Sequence, residues 1–266
     1  MNLWRRQGRV WGVIVLLVTA LPSVYALDDI VNQIDEHHEL DEHDRVLQLI
    51  ESELPGTRGD RERAELYWRT ARAILSDTDL RHRDGELSDR EARNRLEDAE
   101  EAGRRAIELD DTSADAHFWT GSAIGLAGQI RGVLRALFQA GTVRDFAEAA
   151  IERNPNHKEA HYLLGVLYRE LPGGIISFGD DDRAVEYGRR AIDLHEREYN
   201  AGVVPFRYFD FYLDLAESLL DRGDSGDSGE ADRLIRFVQS ELRRLDRLNV
   251  RQRLAEERAQ ELAEEL

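Results

Sequence analysis

Apolar residues recur at three- and four-residue intervals along most of this chain, and strand-like two-residue alternation is nearly absent, so the pattern predicts helices almost throughout. Ile30, Ile34, Val46, Leu49 and Ile50 outline a first hairpin, with His37-His38-Glu39-Leu40 at its corner and Pro55-Gly56 behind it. Further on, the stretch Ala99-Glu-Glu-Ala-Gly103-Arg-Arg-Ala106-Ile-Glu-Leu109 returns 85 residues later as Ala184-Val-Glu-Tyr-Gly188-Arg-Arg-Ala191-Ile-Asp-Leu194. A repeated helical hairpin cannot bury its apolar face alone, so stacked hairpins share one core and leave a concave surface for a partner.

The units follow the tetratricopeptide register, in which a W-x₂-L-G-x₂-Y helix is followed by a second helix carrying small residues and then by proline. Trp68, Ala71, Arg72 and Leu75 start one unit, with Ala99, Gly103 and Ala106 on its second helix and a long loop expected from Asp77 to Asp89. His117, Thr120, Gly121 and Ile124 start the next, which carries Ala147 and Ala150 and closes at Pro155. His161, Leu164, Gly165 and Tyr168 pair with the Ala184, Gly188, Ala191 helix, and Tyr212, Leu215, Ala216 and Leu219 with Ala231, Ile235 and Val238. Glycine or alanine at these positions lets paired helices approach to the short end of the usual 8–10 Å range. The units repeat every 49, 44 and 51 residues, against about 34 in an ordinary tetratricopeptide unit, so insertions are expected inside the hairpins. The fold class is therefore all α: tetratricopeptide-like hairpins stacked in a right-handed superhelix over residues 27–246, capped by a charged helix over 247–266.

Composition narrows the partners. The formal charge is −18, which argues against nucleic acid and anionic membrane surfaces. Residues 1–26 combine Arg5, Arg6 and Arg9 with an apolar run from Val10 to Leu21 and a small-residue site at Val24-Tyr-Ala26, the pattern of a cleavable signal peptide. That run is short for a bilayer span of about 20 residues, so the expectation is a secreted or periplasmic protein with no stable membrane anchor. With no cysteine there is no lipid-attachment site, disulfide or thiolate metal site.

Tyr67-Trp-Arg-Thr-Ala-Arg-Ala73, His117-Phe-Trp-Thr-Gly121, Asn154-Pro155 and Leu164-Gly-Val-Leu-Tyr168 with Glu170-Leu-Pro-Gly resemble a tetratricopeptide-type family that includes regulators of microtubule dynamics and their bacterial relatives. They also resemble the T component of tripartite transporters. The resemblance spans residues 40–240. The first group is associated with tubulin, which an exported chain would not meet, so only its fold is expected to carry over. The second implies a solute-binding protein as partner, often within an oligomer.

The segment from Gly125 to Gly141 is small, apolar and nearly free of charge. Its Val133, Leu134, Leu137 and Phe138 either plug the core as an extra short helix or line a ligand cavity or subunit contact. In Pro172–Asp182 the aspartates read as caps for the next helix, and Ile175, Ile176 and Phe178 as hydrophobes that could fold over the groove. Phe206, Tyr208, Phe209, Phe211 and Tyr212 form an aromatic cluster, read as core or as a recognition platform. His37, His38, Glu39, Glu42 and His43 match no zinc spacing and read as a polar corner.

No catalytic motif is present, and neither a cofactor nor a metal is implied. The leading expectation is a non-enzymatic adaptor that holds a protein partner in its concave face, a transporter's solute-binding protein being one candidate and a homo-oligomer compatible with it. The alternative is a periplasmic binder of an apolar small molecule, built from the 125–141 insertion and the aromatic cluster. Contact positions for partner or ligand are placed at Trp119, Leu134, Phe138, Tyr162, Tyr168, Phe178, Tyr187, Phe206 and Tyr208.

Overall fold

The computed structural model describes residues 24–173 and 177–266, with side chains from Leu27 onward. Among these there are eleven helices: α1 (Val24–Glu39), α2 (His43–Glu53), α3 (Asp60–Arg83), α4 (Asp89–Leu109), α5 (Ala114–Ile130), α6 (Val133–Arg153), α7 (Lys158–Glu170), α8 (Asp181–Asn200), α9 (Phe209–Arg222), α10 (Asp227–Leu242) and α11 (Val250–Glu264). The described residues hold no strand, and their one isolated bridge joins Gly173 to Gly179. The expected signal peptide falls largely on residues 1–23, outside the described residues, as do Ile175 and Ile176. None of the described helices is long and apolar enough to cross a membrane.

Local signals place the boundaries. Ser88 and Glu91 form a reciprocal capping box at the start of α4, and Asn249 and Gln252 form another at α11. Asp180 accepts from the Arg183 backbone N–H, so the capping role expected of that loop is realised. Leu171, in extended conformation, ends α7 because it precedes Pro172.

Consecutive helices pack in antiparallel pairs, and the odd-numbered helices α1, α3, α5, α7, α9 and α11 also touch one another in order, forming the inner layer. Even-numbered helices form the outer layer. Buried alanines mark the crossings: Ala71 on α3, Ala99 and Ala106 on α4, Ala147 and Ala150 on α6, Ala184 and Ala191 on α8, and Ala216 on α9. Each buries little area itself but lets the next helix in the stack approach closely, which is how the repeat turns small residues into a continuous core.

Two expectations change here. Asp77 to Asp89 is not a long loop: α3 runs on to Arg83, and only five residues separate it from α4. The 125–141 segment is not a separate plug helix. It is the end of α5, a turn at Gly132 with φ 100°, and the start of α6. There Val133, Leu134 and Phe138 are 77%, 75% and 81% exposed. The first two insertions are therefore longer helical arms. Along the α3 arm charged residues at i and i+4, Asp77 with Arg81 and Asp79 with Arg83, pair on the helix surface.

Candidate functional site

The inner helices line an open cavity of about 480 Å³. Leu75, Phe118, Trp119, Tyr162, Leu163 and Phe211 supply apolar wall, and Arg72, Asp79, Asp115, His157 and Lys158 supply charge. One side is closed where the α1–α2 corner meets the start of α9 and α11. The Tyr208 hydroxyl donates to the Glu39 carboxylate at 3.1 Å, and Arg251 Nε donates to Asp41 at 3.0 Å. Asp41 sits at the α1–α2 corner with φ 58°, a left-handed conformation that aspartate tolerates better than most residues. A crevice of about 60 Å³ beside the cavity shares His38, Glu39, Tyr208, Asp210 and Arg251 with it.

Ion pairs hold the inner layer at each end. Arg69 and Arg72 both donate to Asp35 of α1, and Arg69 also lies 3.9 Å from the Trp68 ring centroid. These guanidinium groups hold the Asp35 carboxyl below its usual range, against a burial effect that acts the other way. At the opposite end Asp214 accepts from Arg258 at 2.7 Å, Arg169 at 2.9 Å and Tyr162 at 2.7 Å, while Arg169 and Arg258 also reach Glu217. Burial opposes its charge, yet the two arginines and the tyrosine hold Asp214 ionised and its pKa lowered. Midway, His157 lies 3.5 Å from Asp115 and 3.4 Å from Glu159. Their attraction outweighs burial and raises its pKa. His38, near Arg72 and Arg251, is driven by burial well below the usual imidazole value and is neutral.

Of the positions expected from the sequence, Trp119, Tyr162 and Tyr208 line this cavity. Tyr162 stacks on Phe211 at 4.6 Å, and Trp119 meets Phe118 edge-on at 4.7 Å. Phe206 lines the adjoining crevice, edge-on to Tyr208. Tyr168, Tyr187 and Phe178 form a separate stack between α7, α8 and the loop joining them: the two tyrosines are parallel at 5.6 Å, and Phe178 packs edge-on with Arg144 over its other side. Tyr168 is buried core, and Tyr187 opens toward Arg190 and Asp193 on the outer layer. Leu134 and Phe138 stand exposed at the start of α6, and no residue of 125–141 lines the cavity. The structure thus does not bring the 125–141 segment and the aromatic cluster around one space.

Sequence reasoning missed Glu39, Arg72, Asp210 and Arg251. Charged residues on a helix ordinarily mark its solvated face; the α1–α3 ion pair with Asp35 turns Arg72 inward, and the meeting of the α1–α2 corner with α9 and α11 does so for the other three. At the first corner His37 pairs with Glu42 at 2.5 Å, and the His38 and His43 rings lie 5.1 Å apart. The described residues contain no group of three or more side chains arranged to hold a metal ion.

Comparison with known proteins supplies a family. Residues 30–171 match the model for regulator of microtubule dynamics proteins 1–3. The chain is 30% identical over 151 residues to regulator of microtubule dynamics protein 1 of Bos taurus, covering 57% of this chain and 45% of that protein. It is 27% identical over 161 residues to protein 3 of Rattus norvegicus, covering 56% of this chain and 32% of that one. The chain thus spans about half the length of the bovine relative or less. Among solved structures, TTC0263, a tetratricopeptide protein of Thermus thermophilus, superposes with a TM-score of 0.54 at 17% identity, covering 79% of this chain and 88% of that one. It shares the fold. The secreted or periplasmic placement is overturned, since the matched curated relatives are mammalian proteins named for microtubule dynamics and mammals have no periplasm. With its match over α1 to α7 and its stacked helical hairpins, the chain belongs to the regulator of microtubule dynamics family, a tetratricopeptide-like one.

Proposed function

We propose that the chain is a non-enzymatic adaptor that holds a short segment of a partner protein in the open cavity along its inner helices. The observation that carries this reading is the cavity itself, about 480 Å³ with Trp119, Tyr162 and Phe211 set among both signs of charge. That volume lies within the roughly 300–1,000 Å³ range of binding clefts, and aromatic rings contribute strongly to contact energy. A transporter's solute-binding protein is not carried forward, since it rested on the exported placement.

Selection of a random peptide library on the immobilised chain tests the reading. Enriched peptides should lose at least tenfold in affinity on Trp119→Ala, with the helical circular dichroism unchanged. Peptides that bind the variant equally well, or a library that enriches nothing, would overturn it. The names of the relatives make polymerised tubulin the first whole protein to try by co-sedimentation.

A further inference from the structure

The carboxylates lining the cavity divide into two groups. Asp79 pairs with Arg83 at 3.0 Å, Glu159 and Glu198 pair with Lys158 at 2.8 and 2.6 Å, and Asp115 faces His157 at 3.5 Å. Glu39 and Asp210 differ. Glu39 is contacted by the Tyr208 hydroxyl alone, and the nearest cation to Asp210 is Arg258 at 4.0 Å. Both line the cavity and the crevice beside it, next to the rings of Tyr208 and Phe211. Arg72, Lys158 and Arg251 are near enough to favour the charge on Glu39, as are Arg83, Arg258 and Arg251 for Asp210. Burial, joined at Asp210 by the like charge of Asp214, nevertheless outweighs them and raises both carboxyls above their ordinary range; neither has a cation among the described residues closer than 4.0 Å, so neither is closely paired within the fold.

A second feature of the same cavity is independent of these acids. Arg72 is 9% exposed and lines the cavity, and although its other nitrogen Nη2 donates to Asp35, its Nε–H has no acceptor among the described residues. A buried donor without an acceptor is costly. Backbone carbonyls of an extended peptide are acceptors of the kind it lacks.

Resting on the adaptor reading, we infer that the partner segment is basic, and that an arginine or lysine side chain sits between Glu39 and Asp210 against the rings of Tyr208 and Phe211. The carboxylates supply the charge complement, and the ring faces supply cation–π attraction in a partly desolvated space. Asp210 and both rings lie beyond residues 30–171, so this wall is outside the stretch matched by the family model. One half of the acidic pair comes from α1 and the other from α9.

The peptide selection described above, extended by three measurements, tests this. Enriched sequences should share one basic position; replacing it by citrulline, or by norleucine where it is lysine, should weaken binding to the unaltered chain at least tenfold. Glu39→Gln, whose amide oxygen still accepts from the Tyr208 hydroxyl, and Asp210→Asn should each weaken binding to a similar degree with the helical circular dichroism unchanged. Peptides that depend on Trp119 but lack a basic position, or that bind equally well with citrulline or norleucine, would overturn this inference and leave the adaptor reading standing. So would either variant binding with unchanged affinity. A library that enriches nothing removes the adaptor reading and this inference with it. The analogue peptides require no protein variant, so the result does not depend on whether Glu39→Gln or Asp210→Asn folds.

Discussion

The α3–α4 and α7–α8 hairpins carry the same Gly-Arg-Arg-Ala-Ile string on their second helices, yet they are built to different heights. From Trp68 to Gly103 is 35 residues, while from His161, at the matching position, to Gly188 is 27. The eight-residue difference lies entirely above the shared crossing. In the first hairpin α3 runs 24 residues and turns in five; in the second α7 stops after 13 because Pro172 follows Leu171. Small residues thus set where two helices cross, and punctuation sets how far they project. Between these hairpins stand α5 and α6. The α7–α8 hairpin is too short to cover the start of α6, which accounts for the exposure of Val133, Leu134 and Phe138.

The position that follows the shared string separates the two hairpins chemically. Asp110 ends α4, whereas its counterpart His195 continues α8 and is fully buried, its Nε2 accepting from the Tyr208 N–H at 3.1 Å. Burial pushes the His195 imidazole down to about 4. In the unfolded chain it titrates near 6.5, so below that pH the unfolded state takes up a proton that the folded state refuses. Its contribution is full above about pH 6.5 and is lost as the pH falls toward 4, a loss of about 3 kcal/mol. Urea unfolding at pH 7 and pH 4.5 should show the natural chain losing about 2 kcal/mol more stability than His195→Gln; equal losses would mean the imidazole is not held neutral.

The crossing itself differs in tightness. A Cβ on Gly103 would lie 2.3 Å from Thr120 Oγ1 and 3.2 Å from the Thr120 backbone, and that hydroxyl is already committed to the Ala116 carbonyl. A Cβ on Gly188 would meet Leu215 side-chain atoms at 3.2 and 3.4 Å. Gly103→Ala should therefore cost about 2 kcal/mol, even after the roughly 1 kcal/mol of helix propensity that alanine returns. Gly188→Ala should fall within about 0.5 kcal/mol of neutral, because Leu215 can shift. Equal melting temperatures for the two variants would show that the shared string makes one contact, not two.

The smallest effect is expected at the uncovered arm. Leu134→Lys with Phe138→Asp should change stability by no more than about 0.5 kcal/mol, since both side chains already face water. A large loss on calorimetry would show that something covers the start of α6.

The helical class, the repeat register and the crossing residues were legible because each rests on local spacing: Gly103, Gly165 and Gly188 mark positions where a neighbour comes close. Asp77 to Asp89 misled because its aspartates and Gly85 resemble a loop, although the capping box at Ser88 and Glu91 marks where α4 begins. The cavity was half legible. Trp119, Tyr162 and Tyr208 announce themselves as rings at helical spacing. Glu39 and Asp210 do not, since their meaning depends on a contact between residues that no local pattern relates.

That contact also bears on how the molecule folds. Stacked hairpins that touch only their neighbours unravel from the ends, each adding its own increment of stability. Here the Tyr208–Glu39 and Arg251–Asp41 bonds join residues 169 and 210 positions apart. The α1–α2 corner and the α9–α11 region are therefore tied to each other, and the described hairpins should unfold more nearly as one unit. Closing so large a loop costs entropy before it returns any contact, so joining these two regions should be a late step in folding.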